Sequence, residues 1–380
     1  MNQITQIECI DDGRAIALTD SNGSTLRFHS IWLRDNALDS DTRAPENGQK
    51  LVTLSALPTD IRISEASLNS DGDLQLNFEP EGKQVCFSAE WLAEHNYDRS
   101  VDQQSGWLAD DIETWDASLR IIPSAEFDQI SQDQSKLRDW ISDVRRLGFA
   151  KVTDGPIESG AILQVAELFG YVRETNYGKV FDVRAEVTPT NLAYSGLGLQ
   201  AHTDNPYRDP APTMQILYCL ESSAEGGDSL VVDGYRAVRR LREESPDDFD
   251  LLARYCARFE YAGSSDVCLQ SRKPIIELAP DGELITVRFN NRSSAAITDV
   301  PYDVMPDYYA ALRRLSEIVD DPEMAVSFRL EPGECFIVDN TRVMHARKEY
   351  SGTGTRWLQG CYPDRDGLYS TLARLQAQAS

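Results

Sequence analysis

The chain has 380 residues, 41% of them hydrophobic, with a formal net charge of −25 and a pI near 4.5. This length accommodates two or three domains with ample buried core. The acidic balance argues against nucleic acid, whose phosphates attract basic surfaces, and against anionic lipid surfaces. We therefore expect a small-molecule partner, with neither a nucleic acid nor a membrane bound.

The cysteines and the N-terminus indicate the compartment. The 7 cysteines are scattered and form no C-x-x-C pair, which is typical of a reducing environment. Residues 1–6 lack the basic segment and apolar run of a signal peptide, and no apolar run approaches the roughly 20 residues of a membrane span. We expect a cytoplasmic protein, and we expect it to form a homodimer.

The first part of the chain alternates short strand candidates with turn signals. Residues 74–78 alternate strictly between apolar and polar side chains, as a half-buried strand does. Residues 15–18 and 25–29 are the other strand candidates. Residues 20–23 and 69–72 are turn signals. We predict a small N-terminal β module covering residues 1–110.

A second, larger domain is predicted from residue 125 to residue 380. Residues 111–125 are poorly periodic, and Pro123 lies near their end, so we place the boundary there. Residues 127–147 form a predicted helix with one apolar face, made by Ile130, Leu137, Trp140, Ile141 and Val144. A strand at residues 149–152 follows it.

The rest of the larger domain is mostly strands. Strands are predicted at residues 213–220, 229–232, 284–289, 326–330 and 334–338, and helices at residues 235–244 and 306–318. Many short strands with a few inserted helices favour a mainly β fold. We predict a double-stranded β-helix, or jelly-roll, as the catalytic domain.

Two of the 4 histidines lie in a pattern typical of an iron site. His202 and Asp204 form a His-x-Asp pair, and His345 follows far downstream. Two imidazoles and one carboxylate bind one face of an octahedral Fe(II) and leave three positions open. Taken alone, a His-x-Asp pair is as consistent with surface polar residues, so the hypothesis depends on the three residues together with Arg356.

Arg356 follows His345 on the next predicted strand. A guanidinium inside a barrel binds a carboxylate in bidentate fashion, although an arginine in a surface ion pair is the plainer alternative. Ser229, after the glycine pair at 226 and 227, offers a hydroxyl to the same carboxylate. Such a site suits 2-oxoglutarate as cosubstrate beside Fe(II) and O2.

These elements resemble the γ-butyrobetaine hydroxylase-like branch of the taurine-dioxygenase-like Fe(II)/2-oxoglutarate oxygenases, over nearly the whole chain. The resemblance rests on seven segments, at residues 32–36, 192–194, 202–204, 226–229, 232–234, 289–291 and 356–362. It implies that His202, Asp204 and His345 are the iron ligands, and that Arg356 and Ser229 bind 2-oxoglutarate.

The family also holds a trimethylammonium group in an aromatic cage. A quaternary ammonium has no N–H to donate, so aromatic faces are its natural partners. The positions that match the cage are Tyr177, Phe181, Tyr194 and Tyr362. The resemblance further implies that Asn191 and Asn291 contact the acid end of the substrate, and Arg292 offers a charge there.

Two departures from the family matter. Its N-terminal module binds zinc through three cysteines and a histidine, whereas the matching positions here are Ala37, Asp39, Thr42 and Lys83. None is a good soft ligand, so we expect no structural zinc. Phe181 stands where some relatives have tryptophan, which predicts an adjusted pocket.

We predict an enzyme that hydroxylates a small trimethylammonium zwitterion with Fe(II), 2-oxoglutarate and O2. The departures favour 2-(trimethylammonio)ethylphosphonate, hydroxylated at the carbon next to phosphorus, which belongs to organophosphonate catabolism. The alternative substrate is γ-butyrobetaine, hydroxylated to L-carnitine. A non-catalytic sensor of 2-oxoglutarate or a betaine on the same fold is the alternative from another class, because a fold alone does not fix a function.

Overall fold

The structure is a computed structural model that describes residues 3–98, 108–184, 198–264, 266–349 and 354–379. The chain divides into two compact units, residues 1–102 and 103–380. Within the described ranges, no helix is long and apolar enough to cross a membrane.

The first unit is built from two small antiparallel sheets, each with three strands in chain order. Its elements are β1 (Ile4–Ile10), β2 (Ala15–Asp20), β3 (Thr25–His29), α1 (Ser30–Asp35), β4 (Arg62–Leu68), β5 (Leu74–Glu79), β6 (Lys83–Phe87) and α2 (Ala89–Glu94). In β5 the side chains of Leu74, Leu76 and Phe78 are buried while their neighbours are not, as the alternation predicts. The two sheets share one apolar core.

The positions that match the family's zinc ligands lie in a network of charged and polar side chains. Lys83 Nζ donates to Asp39 Oδ1 at 2.8 Å, and Thr42 Oγ1 donates to Asp39 Oδ2 at 3.0 Å. Arg34, which pairs with Glu81 at 2.7 Å, also donates to Thr42 Oγ1 at 3.2 Å. Ala37 is fully buried in the apolar core. An ammonium–carboxylate pair therefore occupies the position where the family has soft ligands.

The second unit contains the larger sheets and most of the helices. Its first half has β7 (Ser124–Glu126), α3 (Phe127–Gln132), α4 (Gln134–Leu147), β8 (Phe149–Thr153), α5 (Ala161–Glu167), β9 (Phe181–Val183), β10 (Leu199–His202), β11 (Met214–Ser222) and β12 (Ser229–Asp233). Its second half has α6 (Gly234–Glu244), α7 (Pro246–Arg254), β13 (Cys256–Ser264), β14 (Val267–Pro274), β15 (Ile276–Leu278), β16 (Leu284–Val287), α8 (Met305–Val319), β17 (Ala325–Phe328), β18 (Cys335–Asp339), β19 (Val343–Arg347), β20 (Arg356–Cys361) and α9 (Arg365–Ala377).

Two sheets of this unit confirm the predicted jelly-roll. One has six strands in the order β7-β8-β18-β11-β20-β9, and the other has four in the order β10-β19-β12-β17. All pairings in them are antiparallel except the short β7–β8 pairing. Apolar side chains of both sheets share one core, with Leu217, Phe336 and Leu358 from the larger sheet and Val231 and Val343 from the smaller. The strands are thus packed face to face, as in a sandwich.

The long helix predicted at residues 127–147 is two helices, α3 and α4, which meet at Asp133. The carboxylate of Asp133 accepts hydrogen bonds from the backbone N–H groups of Ser135 and Lys136, and so caps α4. The apolar face predicted for this stretch is buried, and Gly148 ends α4 in the left-handed conformation that glycine favours. The cap was not anticipated because the apolar period continues across it.

The larger unit begins before the predicted residue 125. Trp115 is buried in the core between the sheets, and its indole donates to the carbonyl of Leu147. Its backbone N–H donates to Oδ2 of Asp233 at 3.0 Å, at the end of β12. A segment without periodicity thus packs as irregular chain against the barrel, and it is part of that unit.

Candidate metal centre

The two histidines of the predicted triad face each other across neighbouring strands. His202 ends β10 and pairs in antiparallel register with His345 in β19, and their ring centroids are 4.4 Å apart. Asp204 follows β10, with Oδ1 3.3 Å from Nε2 of His202 and 3.9 Å from Nε2 of His345. One ligand atom from each residue lies within 4.8 Å of the other two. Strand pairing therefore converts a distant sequence pattern into one cluster.

The protonation states of the three side chains fit a divalent metal. His202 Nδ1 lies 2.7 Å from the carbonyl of Gln200, which only accepts, so Nδ1 carries the proton and Nε2 keeps its lone pair. Burial, together with the nearby His202, lowers the pKa of His345 to about 3, so this imidazole is neutral. Burial raises the pKa of Asp204, but the contact with His202, the nearby His345 and the hydrogen bond from Tyr362 outweigh it and hold this pKa well below its usual range.

The carboxylate of Asp204 is held in one orientation by two donors on its far side. Gln215 Nε2 donates to Oδ2 at 2.7 Å, and the hydroxyl of Tyr362 donates to the same oxygen at 2.8 Å. With Oδ2 satisfied, Oδ1 faces the two imidazoles. Two nitrogens and one oxygen on a single face are the donor set that iron(II) oxygenases use, and the residues present fit that metal.

Asn340 fixes the backbone of Asp204. Its Oδ1 accepts from the backbone N–H of Asp204 at 2.7 Å, and its Nδ2 donates to the carbonyls of Asp204 at 3.0 Å and Pro212 at 2.8 Å. Asn340 is buried and lies just before β19, the strand that carries His345. One amide therefore links the loop after β10 to the start of β19.

A buried ion pair also anchors the start of β19 to the end of β12. Arg342, before β19, donates to both carboxylate oxygens of Asp233 at the end of β12, at 3.0 and 2.9 Å. Both side chains are almost wholly buried, and Arg342 also donates to the carbonyl of Arg146 at 2.9 Å. A buried pair with further hydrogen bonds on its remaining donors fixes geometry well, and it holds β19 in register.

The three candidate metal ligands, His202, Asp204 and His345, line one cavity, called here the metal-binding cavity, that also contains the predicted cosubstrate residues. Arg356 starts β20 and Ser229 starts β12, and both line this cavity together with Arg347. The glycine pair before Ser229 is left-handed at both positions, with φ of 82° and 74°, so the predicted tight turn is present. A guanidinium and a hydroxyl beside the metal ligands suit the distal carboxylate of 2-oxoglutarate.

Three of the four predicted cage residues line the same cavity. The ring of Phe181 lies 5.1 Å from that of Tyr362 and 6.1 Å from that of Tyr177, measured between centroids. Phe181 is opposite Gly360 across β9 and β20, and a Cβ at 360 would lie 2.4 Å from its ring. A glycine is therefore required here for the ring to lie against β20. Tyr194 lies outside the described residues.

Sequence reasoning missed two further aromatic residues. Tyr207 and Tyr261 stack with centroids 5.3 Å apart, and Tyr261 lies 5.9 Å from Tyr177. The hydroxyls of Tyr177 and Tyr207 are 3.0 Å apart. Tyr207 follows the His-x-Asp pair closely, which was a usable signal, whereas Tyr261 comes from β13 and carried none.

The residues predicted for the acid end of the substrate have different locations. Arg292 lines the metal-binding cavity, and its Nη2 donates to Nε2 of His202 at 2.6 Å. Asn291 is exposed and lines another cavity, against α8, so the structure does not bring it to the metal centre. Asn191 lies outside the described residues, and its role stays a prediction.

Comparison with known proteins gives the family of the chain. A model of the family described as taurine catabolism dioxygenase TauD, TfdA family matches residues 111–362. A γ-butyrobetaine dioxygenase of Pseudomonas sp. (strain AK-1) is 32% identical over 363 residues, which cover 95% of this chain and 94% of that protein. A trimethyllysine dioxygenase of Meyerozyma guilliermondii is 28% identical over 382 residues, covering 95% of this chain and 93% of that protein.

Solved structures share the fold. The crystal structure of asparagine oxygenase matches 60% of this chain and 78% of its own with a TM-score of 0.50 at 22% identity. A putative α-ketoglutarate-dependent taurine dioxygenase from Burkholderia xenovorans matches 66% of this chain and 92% of its own with a TM-score of 0.51 at 15% identity. Motif, cavity and relatives agree: the chain belongs to the TauD/TfdA family and is a non-haem iron dioxygenase that uses 2-oxoglutarate and O2.

Proposed function

We propose that the chain hydroxylates a small trimethylammonium zwitterion. The observation that carries the proposal is the aromatic lining made by Tyr177, Phe181 and Tyr362 in the cavity of the metal ligands. Aromatic faces attract a quaternary ammonium, which needs no hydrogen-bond acceptor. The relatives support this class, since they are named as γ-butyrobetaine and trimethyllysine dioxygenases.

When bound, iron with 2-oxoglutarate and O2 inserts one oxygen atom into a C–H bond and yields succinate and CO2. The residues of this chain supply position and environment. Arg356 and Ser229 orient the cosubstrate through its distal carboxylate. The rings hold the ammonium end, so that one carbon of a short zwitterion is presented to the metal.

For the acid end, we propose a phosphonate, and specifically 2-(trimethylammonio)ethylphosphonate, hydroxylated at the carbon next to phosphorus. Arg292 supports this, because its guanidinium lies at the cavity and donates to the lone pair of His202 that iron also needs. With a metal on that lone pair, the guanidinium would need another acceptor, and a phosphonate carries more charge and one more oxygen than a carboxylate.

γ-Butyrobetaine is the second candidate, and the 32% identity to a γ-butyrobetaine dioxygenase favours it. A competition experiment decides between the two candidates. Both substrates are incubated in one reaction at equal concentration, and the product masses are followed over time. We expect the phosphonate to be consumed first. If γ-butyrobetaine is consumed first, the phosphonate proposal is wrong and the carboxylate is the physiological acid end.

Location and assembly are further proposals. All 7 cysteines are free, which suits a reducing compartment, and we propose that the protein works in the cytoplasm as a homodimer. Light scattering coupled to size exclusion gives the mass directly, and a mass near that of one chain would exclude the dimer.

A further inference from the structure

A hairpin that is separate from the two larger sheets stands behind the aromatic lining of the metal-binding cavity. Its strands, β13 and β14, pair with each other in antiparallel register and form a two-stranded sheet. Tyr177 lines the metal-binding cavity, whereas Tyr207 and Tyr261 line a second cavity next to it. Through Tyr261, which lies in β13, the hairpin therefore contributes to an outer layer of aromatic side chains.

Tyr261 contacts two other tyrosines. Its ring stacks on that of Tyr207, with 5.3 Å between centroids, and meets the ring of Tyr177 edge-on, with 5.9 Å between centroids and 70° between planes. The hydroxyl of Tyr207 donates to Oδ1 of Asn205, so the Tyr177 hydroxyl, 3.0 Å away, donates to that of Tyr207. Tyr177 is thus held by a hydrogen bond at its hydroxyl and by an aromatic contact at its ring.

Gly263 leaves room for the ring of Tyr261. A Cβ at position 263 would lie 2.9 Å from Cε2 of Tyr261, closer than two carbon atoms normally approach. The backbone of Gly263 is not left-handed, so conformational freedom does not explain the glycine. The ring of Tyr261 therefore lies over its own strand, in a space that a side chain at position 263 would obstruct.

The hairpin is fastened to the rest of its unit at several points. Arg258 of β13 and Arg272 of β14 lie opposite each other, and both pair with the carboxylate of Asp299. The hydroxyl of Ser271 donates to the carbonyl of Pro206, in the loop that follows the metal ligands of β10. These contacts give the hairpin a defined position, so that Tyr261 forms a firm support behind Tyr177.

We infer that Tyr261 is a positioning residue that limits the size of the ammonium group that the cage accepts. The inference rests on the proposed function, because Tyr177 is one of the rings assigned to the ammonium group. With Tyr261 behind it, the Tyr177 ring has no space to move outwards when a larger N-alkyl group enters. Selectivity for three methyl groups therefore depends on a side chain outside the metal-binding cavity, which neither the iron motif nor the cage positions include.

Three variants separate this role from a purely structural one. Tyr261→Ala removes the ring, and Tyr261→Phe is the matched control, because it keeps the ring and removes only the hydroxyl. Gly263→Ala leaves Tyr261 in the chain, but the added methyl group occupies the space of the ring and displaces it. It also provides the test if Tyr261→Ala fails to fold. Iron and 2-oxoglutarate binding are measured for every variant, so that damage to the metal centre is not mistaken for a change in the cage.

The probes are 2-(trimethylammonio)ethylphosphonate and γ-butyrobetaine, each paired with its triethylammonium counterpart. Dissociation constants are measured anaerobically by isothermal calorimetry, with iron and 2-oxoglutarate present. We expect the wild type and Tyr261→Phe to prefer the trimethyl compounds by roughly ten- to two-hundredfold, as for an added methylene in a close-fitting pocket. Tyr261→Ala and Gly263→Ala should reduce this preference by about tenfold or more, because the triethyl compounds then find room.

Equal weakening of the trimethyl and triethyl compounds in Tyr261→Ala and Gly263→Ala would show that Tyr261 only stabilises the fold, and the inference would be wrong. Loss of the preference in Tyr261→Phe would assign it to the hydroxyl instead of the ring, which also overturns it. A wild type that binds trimethyl and triethyl compounds alike overturns the size limit alone. A wild type that binds none of the four compounds overturns the proposed function itself.

Discussion

The hydroxyl of Tyr362 donates a hydrogen bond to Oδ2 of Asp204 at 2.8 Å. The ring of the same tyrosine packs against Phe181 in the aromatic lining of the cavity. One side chain therefore contacts both a metal ligand and the space assigned to the ammonium group. This relationship gives the two parts of the Tyr362 side chain different, separable effects.

Tyr362→Phe keeps the ring and removes the hydroxyl. We expect iron(II) to bind about tenfold or more weakly, because groups that orient metal ligands typically contribute that much, while substrate affinity changes little at saturating iron. Tyr362→Ala should weaken substrate binding as well, by roughly two- to thirtyfold for a lost cation–π contact. Iron titration and substrate calorimetry on both variants measure the two affinities. A loss of substrate binding in Tyr362→Phe at saturating iron would contradict the prediction.

Arg356→Ala should raise the KM for 2-oxoglutarate by about a hundredfold, since it removes a charge-assisted pair with the distal carboxylate. The KM for the primary substrate should change only severalfold. Arg356→Lys is the matched control, because it keeps the charge but loses the planar pair of donors. Its KM for 2-oxoglutarate should lie between those of the wild type and Arg356→Ala. Steady-state measurement of succinate gives both constants. An equal rise in the two KM values would remove Arg356 from the cosubstrate site.

The metal-free protein should lose stability in mild acid. Burial lowers the pKa of His345 to about 3 from an ordinary value of 6.5, so only the unfolded chain takes up this proton between those values. The contribution of the neutral His345 to the free energy of unfolding is fully present above pH 6.5 and is lost progressively as the pH falls towards 3. The loss amounts to about 2 kcal/mol by pH 5. Urea unfolding of the metal-free protein at about pH 7.5 and about pH 5 measures it.

His345→Gln is the control for that measurement, because it removes the titrating group and keeps the chain otherwise intact. Its free energy of unfolding should depend less steeply on pH than that of the wild type over the same interval. Identical slopes for the two proteins would show that His345 titrates normally in the folded state.

The first unit should bind no zinc, because Lys83 and Asp39 form an ion pair where the family has soft ligands. Zinc also binds histidines, so the measurement uses Asp204→Ala protein, in which the metal centre is disabled. Elemental analysis should then find far less than one zinc per chain. One equivalent of zinc in this variant would contradict the expectation.

Local patterns predicted many elements of the fold correctly. The alternation at residues 74–78 matches β5, and the apolar period before Gly148 matches the buried face of α4. The break at Asp133 was missed because a side-chain cap interrupts the backbone helix without interrupting the apolar period. Trp115 was missed because its burial depends on contacts with Leu147 and Asp233, which the local sequence does not show.

The metal centre followed from the sequence because its three residues have few other reasons to occur in that arrangement. The residues that orient the metal centre could not be predicted from the sequence. Gln215 and Asn340 act through hydrogen bonds to specific atoms of Asp204, and asparagine and glutamine are common residues without a distinctive spacing. Such contacts depend on long-range strand pairing, and only a three-dimensional structure identifies them.

The most direct test of the central claim is mass spectrometry of 2-(trimethylammonio)ethylphosphonate and γ-butyrobetaine incubated with the protein, Fe(II), 2-oxoglutarate and ¹⁸O₂. We predict a product that has gained one ¹⁸O atom, with one succinate formed per product and neither formed by Asp204→Ala protein. Succinate formed without oxygenation of either compound, or no dependence on Asp204, would contradict the account.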